Sequence, residues 1–287
     1  MLDEGSSVRR RYRSIDLVRG LGACFVVIFH FLWDLDHVGV WSQPPDERGL
    51  AGVPSMKAVY FTLYFIVNFY VMRKFRKNVR PLYFAASTLV CLRLWWHTSQ
   101  QAGVALLMCV LGVSSVVSHD KYYNRKLVQT RVFKLFSISI CVSLLSLLLV
   151  PDSWIYFGAL HCLCLNSVLH LPFLRLPPEA VLATAVGVLI YTPICGKFPL
   201  EVPVRPTVDL MPWFHNLGFV LLGVAVGKFR VHALCESFVS DKDDFFVRVG
   251  EHALSVYLVH QFVCFPLAWV VKFLLDSNVS SSCVLHK

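Results

Sequence analysis

Long apolar runs alternate with short polar breaks along the chain, and that alternation predicts helices that cross a membrane. Nine runs stand out: residues 15–33, 58–72, 81–96, 102–118, 132–150, 153–171, 180–195, 212–229 and 252–275. Most reach or approach the roughly 17–25 residues that a helix needs to cross a bilayer, and the second and third are short. Proline punctuates the breaks: Pro151 precedes the sixth run, Pro177 and Pro178 the seventh, and Pro212 opens the eighth at a first-turn position. The expected fold is an all-α, polytopic transmembrane bundle. It divides into a basic tail (1–12), a single transmembrane domain (13–276) and a short polar tail (277–287). The longest breaks, 34–57, 196–211 and 230–250, are too short for a separate soluble domain.

The first run keeps charge where charge is expensive. At about 100° per residue, Asp16 and Asp34 fall on one line, and Arg19 and His30 fall within roughly 60° of it. Gly20 and Ala23 share that side, while Leu17, Leu21, Phe25, Val26, Ile28 and Phe29 cover the others. An Asp16–Arg19 pair alone is explained as an inexpensive interfacial ion pair. His30 and Asp34 on the same stripe shift the balance, because ionisable groups inside a span usually face a bundle interior or a wet cavity.

Composition agrees with a membrane protein. The 287 residues are 56% hydrophobic and 16% charged, against about 25% charged in soluble domains. The net charge of +9 does not point to nucleic acid, because the basic residues sit in short breaks. Arg9, Arg10, Arg11 and Arg13 precede the first run, RKFRKNVR follows the second, and Lys121, Arg125, Lys126 and Arg131 follow the fourth. Arg175, then Lys228, Arg230, Lys242 and Arg248, continue the series, and the intervening breaks are acidic, mixed or nearly uncharged. The positive-inside rule then puts the amino terminus in the cytoplasm and the carboxy terminus on the other side. No cleavable signal peptide is expected, because the first run holds Asp16 and Arg19 and lacks a small-residue cleavage site. Most of the ten cysteines lie inside runs, where they serve as small hydrophobes.

With this orientation the polar residues can be placed by depth. Asp16 and Arg19 lie near the cytoplasmic face, and His30 lies about 16 Å further along at about 1.5 Å per residue. Asp34 belongs to the outer half and His37 lies just outside. Trp213, His215 and Asn216 fall near the outer rim, His161 about two turns deep, and Tyr257, His260 and Gln261 at mid-depth or beyond. Four spans thus send His30, His161, His215 and His260 toward one layer. Histidine is the usual general base near neutral pH, and Asp34, one turn from His30, is within reach to orient it. No metal is expected, since the ligands would come from separate helices and no His-x-x-x-His pair exists. His97, His119, His170, His232 and His286 read as interface or loop residues.

Five segments resemble a known family. RYRSIDLVRGLGACFVVIFHFLWDLDHVG resembles the amino-terminal signature of the membrane proteins related to heparan-alpha-glucosaminide N-acetyltransferase, in their small bacterial-type form. ALLMCVLGVSSVVSH, IYFGALHCLCLNSVL, DLMPWFHNLGFVLLGVAVGK and VGEHALSVYLVHQ resemble later segments of that family in the same order, and together they span most of residues 13–270. The spacing of Arg19 and His30 is similar to that in the wider transmembrane acyltransferases.

The resemblance implies transfer of an acetyl group from cytoplasmic acetyl-CoA, as co-substrate, to a hydroxyl or amine of a sugar or glycan on the far side. It implies Asp16 and Arg19 at the coenzyme A end, His30 with Asp34 at the reacting centre, and His161, Trp213, His215, Tyr257, His260 and Gln261 about the acceptor. The lysosomal enzyme's active-site histidine lies in the loop after the first conserved span. Trp41 has that spacing here and His37 is the nearest histidine, so His30 and His37 both stand as the reacting group. No family segment is evident in residues 42–100, which read as an extra short hairpin that includes RKFRKNVR, and with no lysosomal amino-terminal domain expected, lysosomal residence is not implied. Membrane lipid and a glycan acceptor are the expected partners, with a homodimer left open. A multi-pass transporter or flippase using the same polar cavity, and a catalytically inert relative, are the alternatives.

Overall fold

Leu21, Phe25, Phe29 and Leu32 recur at helical spacing, and they form the packed face of helix α1 (Arg13–His37). The computed structural model describes residues 12–42, 79–94, 96–119, 125–195, 209–236 and 245–284, with Tyr64, Val67, Tyr70 and Thr207. After α1 come α2 (Arg80–Leu94), α3 (Trp96–His119), α4 (Arg125–Leu149), α5 (Ala159–Leu169), α6 (Pro178–Cys195), α7 (Trp213–Lys228), α8 (Val231–Glu236), α9 (Phe245–Glu251) and α10 (Ala253–Val284). The fold is all-helical, with no strand among the described residues beyond one isolated Phe157–Leu210 bridge. Arg13–His37, Gln101–His119, Arg125–Leu148 and Ala253–Ser277 are long and apolar enough to cross a membrane, and Pro178–Thr192 is apolar but shorter. Most of the run at 58–72 lies outside the described residues.

The chain forms two compact units, one of residues 1–104 with 233–287 and the other of residues 105–232. In the first, α1 is the axis. Its end is set by Gly39, whose φ of 78° reverses the chain while Val38 N–H bonds to the Asp34 carbonyl at 3.0 Å. A Cβ on Gly20 would strike the Phe246 carbonyl, and one on Gly250 would strike the Asp16 carbonyl, so α1 and α9 meet backbone to backbone. Small residues at a helix crossing permit this approach. Neither α9 nor α8 is expected from the sequence, which reads 230–250 as a loop.

Three helices line α1. Phe84 of α2 packs on Phe246 with ring centroids 5.1 Å apart, and Arg93 donates to the Ser42 carbonyl at 3.1 Å, so α2 runs parallel to α1. The first part of α3 runs the other way: Trp96 stacks on Phe29 at 4.5 Å, and Gly103 lies against Phe25. α10 is parallel again, with His260 beside His30 and Phe265 beside His37. The first turn of α1 is held from α8: the Glu236 carboxylate accepts the Arg13 and Ser14 N–H groups at 3.0 Å each and the Ser14 hydroxyl at 2.8 Å.

In the second unit, α3 and α7 cross closely, with Gly112 against the Val220 carbonyl and Gly223 against the Cys109 carbonyl. Val181 and Ala185 of α6 pack with Leu217, Leu221, Val224 and Ala225 of α7. The run at 153–171 is not one helix. A 3-10 turn (Pro151–Ser153) and an extended stretch precede α5, which has 11 residues. Side chains from elsewhere claim that stretch. Ser143 Oγ donates to the Ile155 carbonyl at 2.7 Å, and Ser146 Oγ accepts the Ile155 N–H at 3.0 Å. Asp209 Oδ2 accepts the Ala159 N–H at 3.0 Å, where α5 starts. Burial raises the Asp209 pKa, and that N–H bond offsets part of the rise.

Two outcomes follow from these contacts. Gly20→Val and Gly250→Val each push a side chain into backbone and should cost about 3 kcal/mol or more, read as a lower thermal midpoint in detergent. Gly187→Ala, which meets nothing within 4 Å, should leave the midpoint level or raise it. The Glu236 carboxyl is desolvated, which raises its pKa, but the Ser14 and Arg13 bonds and the Arg13 charge outweigh this and hold it below 4.5. A depressed carboxylate stabilises the fold above its unfolded pKa, and this is lost as pH falls through the folded value. Midpoints measured down to that range should drop more steeply for the native protein than for Glu236→Gln.

Candidate functional site

The polar stripe of α1 separates into two groups. Near its start Asp16 is buried at 3% exposure, and Arg19 Nη1 donates to Asp16 Oδ1 at 2.6 Å and to the Gly250 carbonyl at 3.5 Å. Arg19 is thus held by α1 and α9 together, and its charge is largely compensated by Asp16 one turn away. These are the two residues the sequence reading assigns to coenzyme A.

The second group starts about three turns further along, where α10 packs on α1. His30 and His260 place their ring centroids 4.8 Å apart at 59°. The His30 Nδ1–H donates to the Val26 carbonyl at 2.9 Å and the His260 Nδ1–H to the Tyr257 carbonyl at 2.5 Å. Both neutral rings therefore carry the free lone pair on Nε2. Asp34 is fully buried, and its Oδ1 accepts the Gln261 Nε2–H at 2.7 Å. Asp34 Oδ2, Gln261 Oε1 and His260 Nε2 are all buried without a partner.

Buried polar atoms are normally paired, and leaving one unpaired costs about 1–3 kcal/mol. Three orphans within one helix–helix contact mark a place built for something else. All are acceptors. The arrangement suits a hydrogen-bond donor, such as a hydroxyl, an amine or water, beside two imidazoles able to take its proton.

The other expected residues lie as follows. His37 stacks on Trp33 at 5.6 Å and lies 6.2 Å from Phe265, within electrostatic reach of Asp34. Tyr257 supplies its carbonyl to His260, with its ring 5.3 Å away. His161, Trp213 and His215 belong to the second unit. Both His161 nitrogens are engaged there, Nδ1 with the Gly158 N–H at 3.2 Å and Nε2 with Ser143 Oγ at 3.1 Å. The Trp213 carbonyl accepts the Asn166 side-chain N–H at 3.3 Å, and His215 lies edge-on to Phe219 at 5.1 Å. Cys264 reads from the sequence only as a small hydrophobe within a span. It is buried and near Asp34, and its place one turn after His260 is the signal that could have found it. Among the described residues no group of three or more His, Cys, Asp or Glu is placed to hold a metal ion.

An all-helical chain with such apolar helices, and with ionisable groups buried between two of them, is an integral membrane protein with an internal polar site. A family model described as heparan-alpha-glucosaminide N-acetyltransferase, catalytic, matches residues 11–82 and 81–262, and so also covers the stretch 42–100 in which the sequence alone shows no resemblance. The chain belongs to that family, whose named chemistry is membrane acetyl transfer. Searches of curated proteins and of solved structures returned no match.

The Asp34–Gln261 contact should behave as one unit. In a double-mutant cycle, Asp34→Asn and Gln261→Leu should together cost less than the sum of the two, with a coupling of about 1 kcal/mol or more in unfolding free energy.

Proposed function

We propose that this chain moves an acetyl group from acetyl-CoA, bound from the cytoplasm, to a hydroxyl or amine of a sugar or glycan on the opposite side of the membrane. The observation that carries the proposal is the cluster of unpartnered acceptors, Asp34 Oδ2, Gln261 Oε1 and His260 Nε2, beside His30. A donor-bearing acceptor molecule would satisfy these atoms. His30 Nε2 takes the proton as the acceptor's oxygen or nitrogen attacks the thioester carbonyl. The new C–O or C–N bond forms, the C–S bond breaks, and the proton passes from His30 to the departing thiolate. His260 shares the proton load, and Gln261 aims Asp34. His37 stands farther along α1, toward the outer side, and is the second candidate for the reacting group. Asp16 and Arg19 would stand at the coenzyme A end.

The topology proposed with this function has about nine spans in one transmembrane domain, the amino terminus in the cytoplasm and a multi-pass arrangement. Helix directions support it. In the first unit α1, α2 and α10 run one way and the start of α3 the other, as alternating loop charge requires. The Glu236 clamp on Arg13 and Ser14 fits both lying on one side.

Liposomes holding the purified protein, radiolabelled acetyl-CoA outside and glucosamine inside provide the test, with the outward-facing surface taken as the cytoplasmic one. Label should appear on the lumenal amine sugar. His30→Ala should cut that rate by about 100-fold or more, and His260→Phe should also reduce it. Glucosamine crossing the membrane without acquiring label would instead make the protein a transporter.

A further inference from the structure

The bond between Asp34 and Gln261 leaves a matched pair of atoms over. Gln261 Nε2–H donates to Asp34 Oδ1 at 2.7 Å, across the contact of α1 with α10. Asp34 Oδ2 and Gln261 Oε1 are the other polar atoms of the same carboxyl and amide, and both are buried without a partner. Written as a carboxylate, Asp34 only accepts, so both leftover atoms are acceptors and neither can serve the other. One hydrogen changes that. A protonated carboxyl keeps an acceptor oxygen and gains an O–H donor. With Oδ1 accepting from Gln261, an O–H on Oδ2 has Gln261 Oε1 as its partner. Carboxyl and amide then close a planar ring of two hydrogen bonds.

Charge points the same way. An ionised carboxyl inside a membrane span is expensive unless a cation or several donors meet it. Asp34 has the single donor Gln261, and among the described residues no cation bonds to it. His37, exposed at the end of α1, and Cys264 of α10 lie within electrostatic reach. His30 lies one turn back on α1, beside His260 of α10, and each ring gives its Nδ1–H to a carbonyl. Arg93 of α2 is turned to the Ser42 carbonyl, and α3 meets α1 through the Trp96 ring.

We propose that Asp34 holds a proton while the site is empty, shares it with Gln261 Oε1, and gives it up when the acceptor enters. The carboxylic acid becomes a carboxylate, the proton passes to bulk water, and an N–H of the acceptor takes its place on Oδ2. An amine that enters as an ammonium replaces the proton charge for charge. It also brings three donors to three acceptors, Asp34 Oδ2, Gln261 Oε1 and His260 Nε2. The nature of the entering group rests on the acetyl-transfer reading, and the proton in the empty site does not.

The test is infrared difference spectroscopy on the full-length protein in an ester-free detergent at neutral pH. Native minus Asp34→Asn should show the C=O stretch of a protonated carboxyl, moving to lower frequency in heavy water. In Gln261→Leu the same band should move to higher frequency, because the bonds to the amide are lost. Glucosamine in large excess should erase the band and release about one proton per protein, read with a pH indicator in weak buffer. No such band, a band indifferent to Gln261→Leu, or a band that survives glucosamine each overturns the proposal. Labelled acetyl-CoA added to the same sample separates the two readings. A band erased by glucosamine with no label transferred would defeat the acetyl-transfer reading and leave the proton exchange standing.

Discussion

Where α1 crosses α9, nothing but hydrogen separates the two backbones, because Gly20 and Gly250 face each other. That contact fixes the depth at which α9 sits, and the chain enters α10 only three residues after Gly250, at Ala253. The register of α10 on α1 follows from it. Only in that register does Gln261 meet Asp34, and His260 meet His30. Arg19 reinforces the crossing by bonding both Asp16 of its own helix and the Gly250 carbonyl. Lipid gives helices no hydrophobic reason to associate, so close backbone packing and a few polar bonds must hold this unit's axis together.

Inside that frame the polar groups do two kinds of work. Asp16, Arg19 and Glu236 find partners within the protein and serve as fasteners. Asp34, His260 and Gln261 each keep one buried atom unmatched, which is unfavourable in isolation and reasonable only where a partner arrives from outside. His170 repeats the pattern in the second unit. His161 shows the contrast: with both nitrogens engaged around the start of α5, it braces a turn.

The stripe on α1 was legible because helical period alone aligns Asp16, Arg19, His30 and Asp34, and the apolar face of Leu21, Phe25 and Phe29 was legible for the same reason. What escaped depends on contacts remote in sequence. The shortening of α5 needs Ser143, Ser146 and Asp209 to compete for backbone that would otherwise be helical. The short helix α9 has no long apolar run to announce it, and its Gly250 acquires meaning only opposite Gly20. The four histidines placed in one layer by depth divide between the units, His30 and His260 in one, His161 and His215 in the other. Which unit a histidine joins is decided by packing between helices remote in sequence, and helical period does not carry that.

The Glu236 and Gln261 bonds to α1 span 222 and 227 residues of chain. Synthesis at about 5–20 residues per second separates the emergence of Asp34 from that of Gln261 by roughly 10–45 s. Throughout that interval the first helix resides in the bilayer with a carboxyl group that its eventual companion cannot yet cover. A nascent chain cut short before α10 would therefore carry a defect at its opposite end. Quality control that senses exposed polarity in lipid could recognise the missing last helix by inspecting the first.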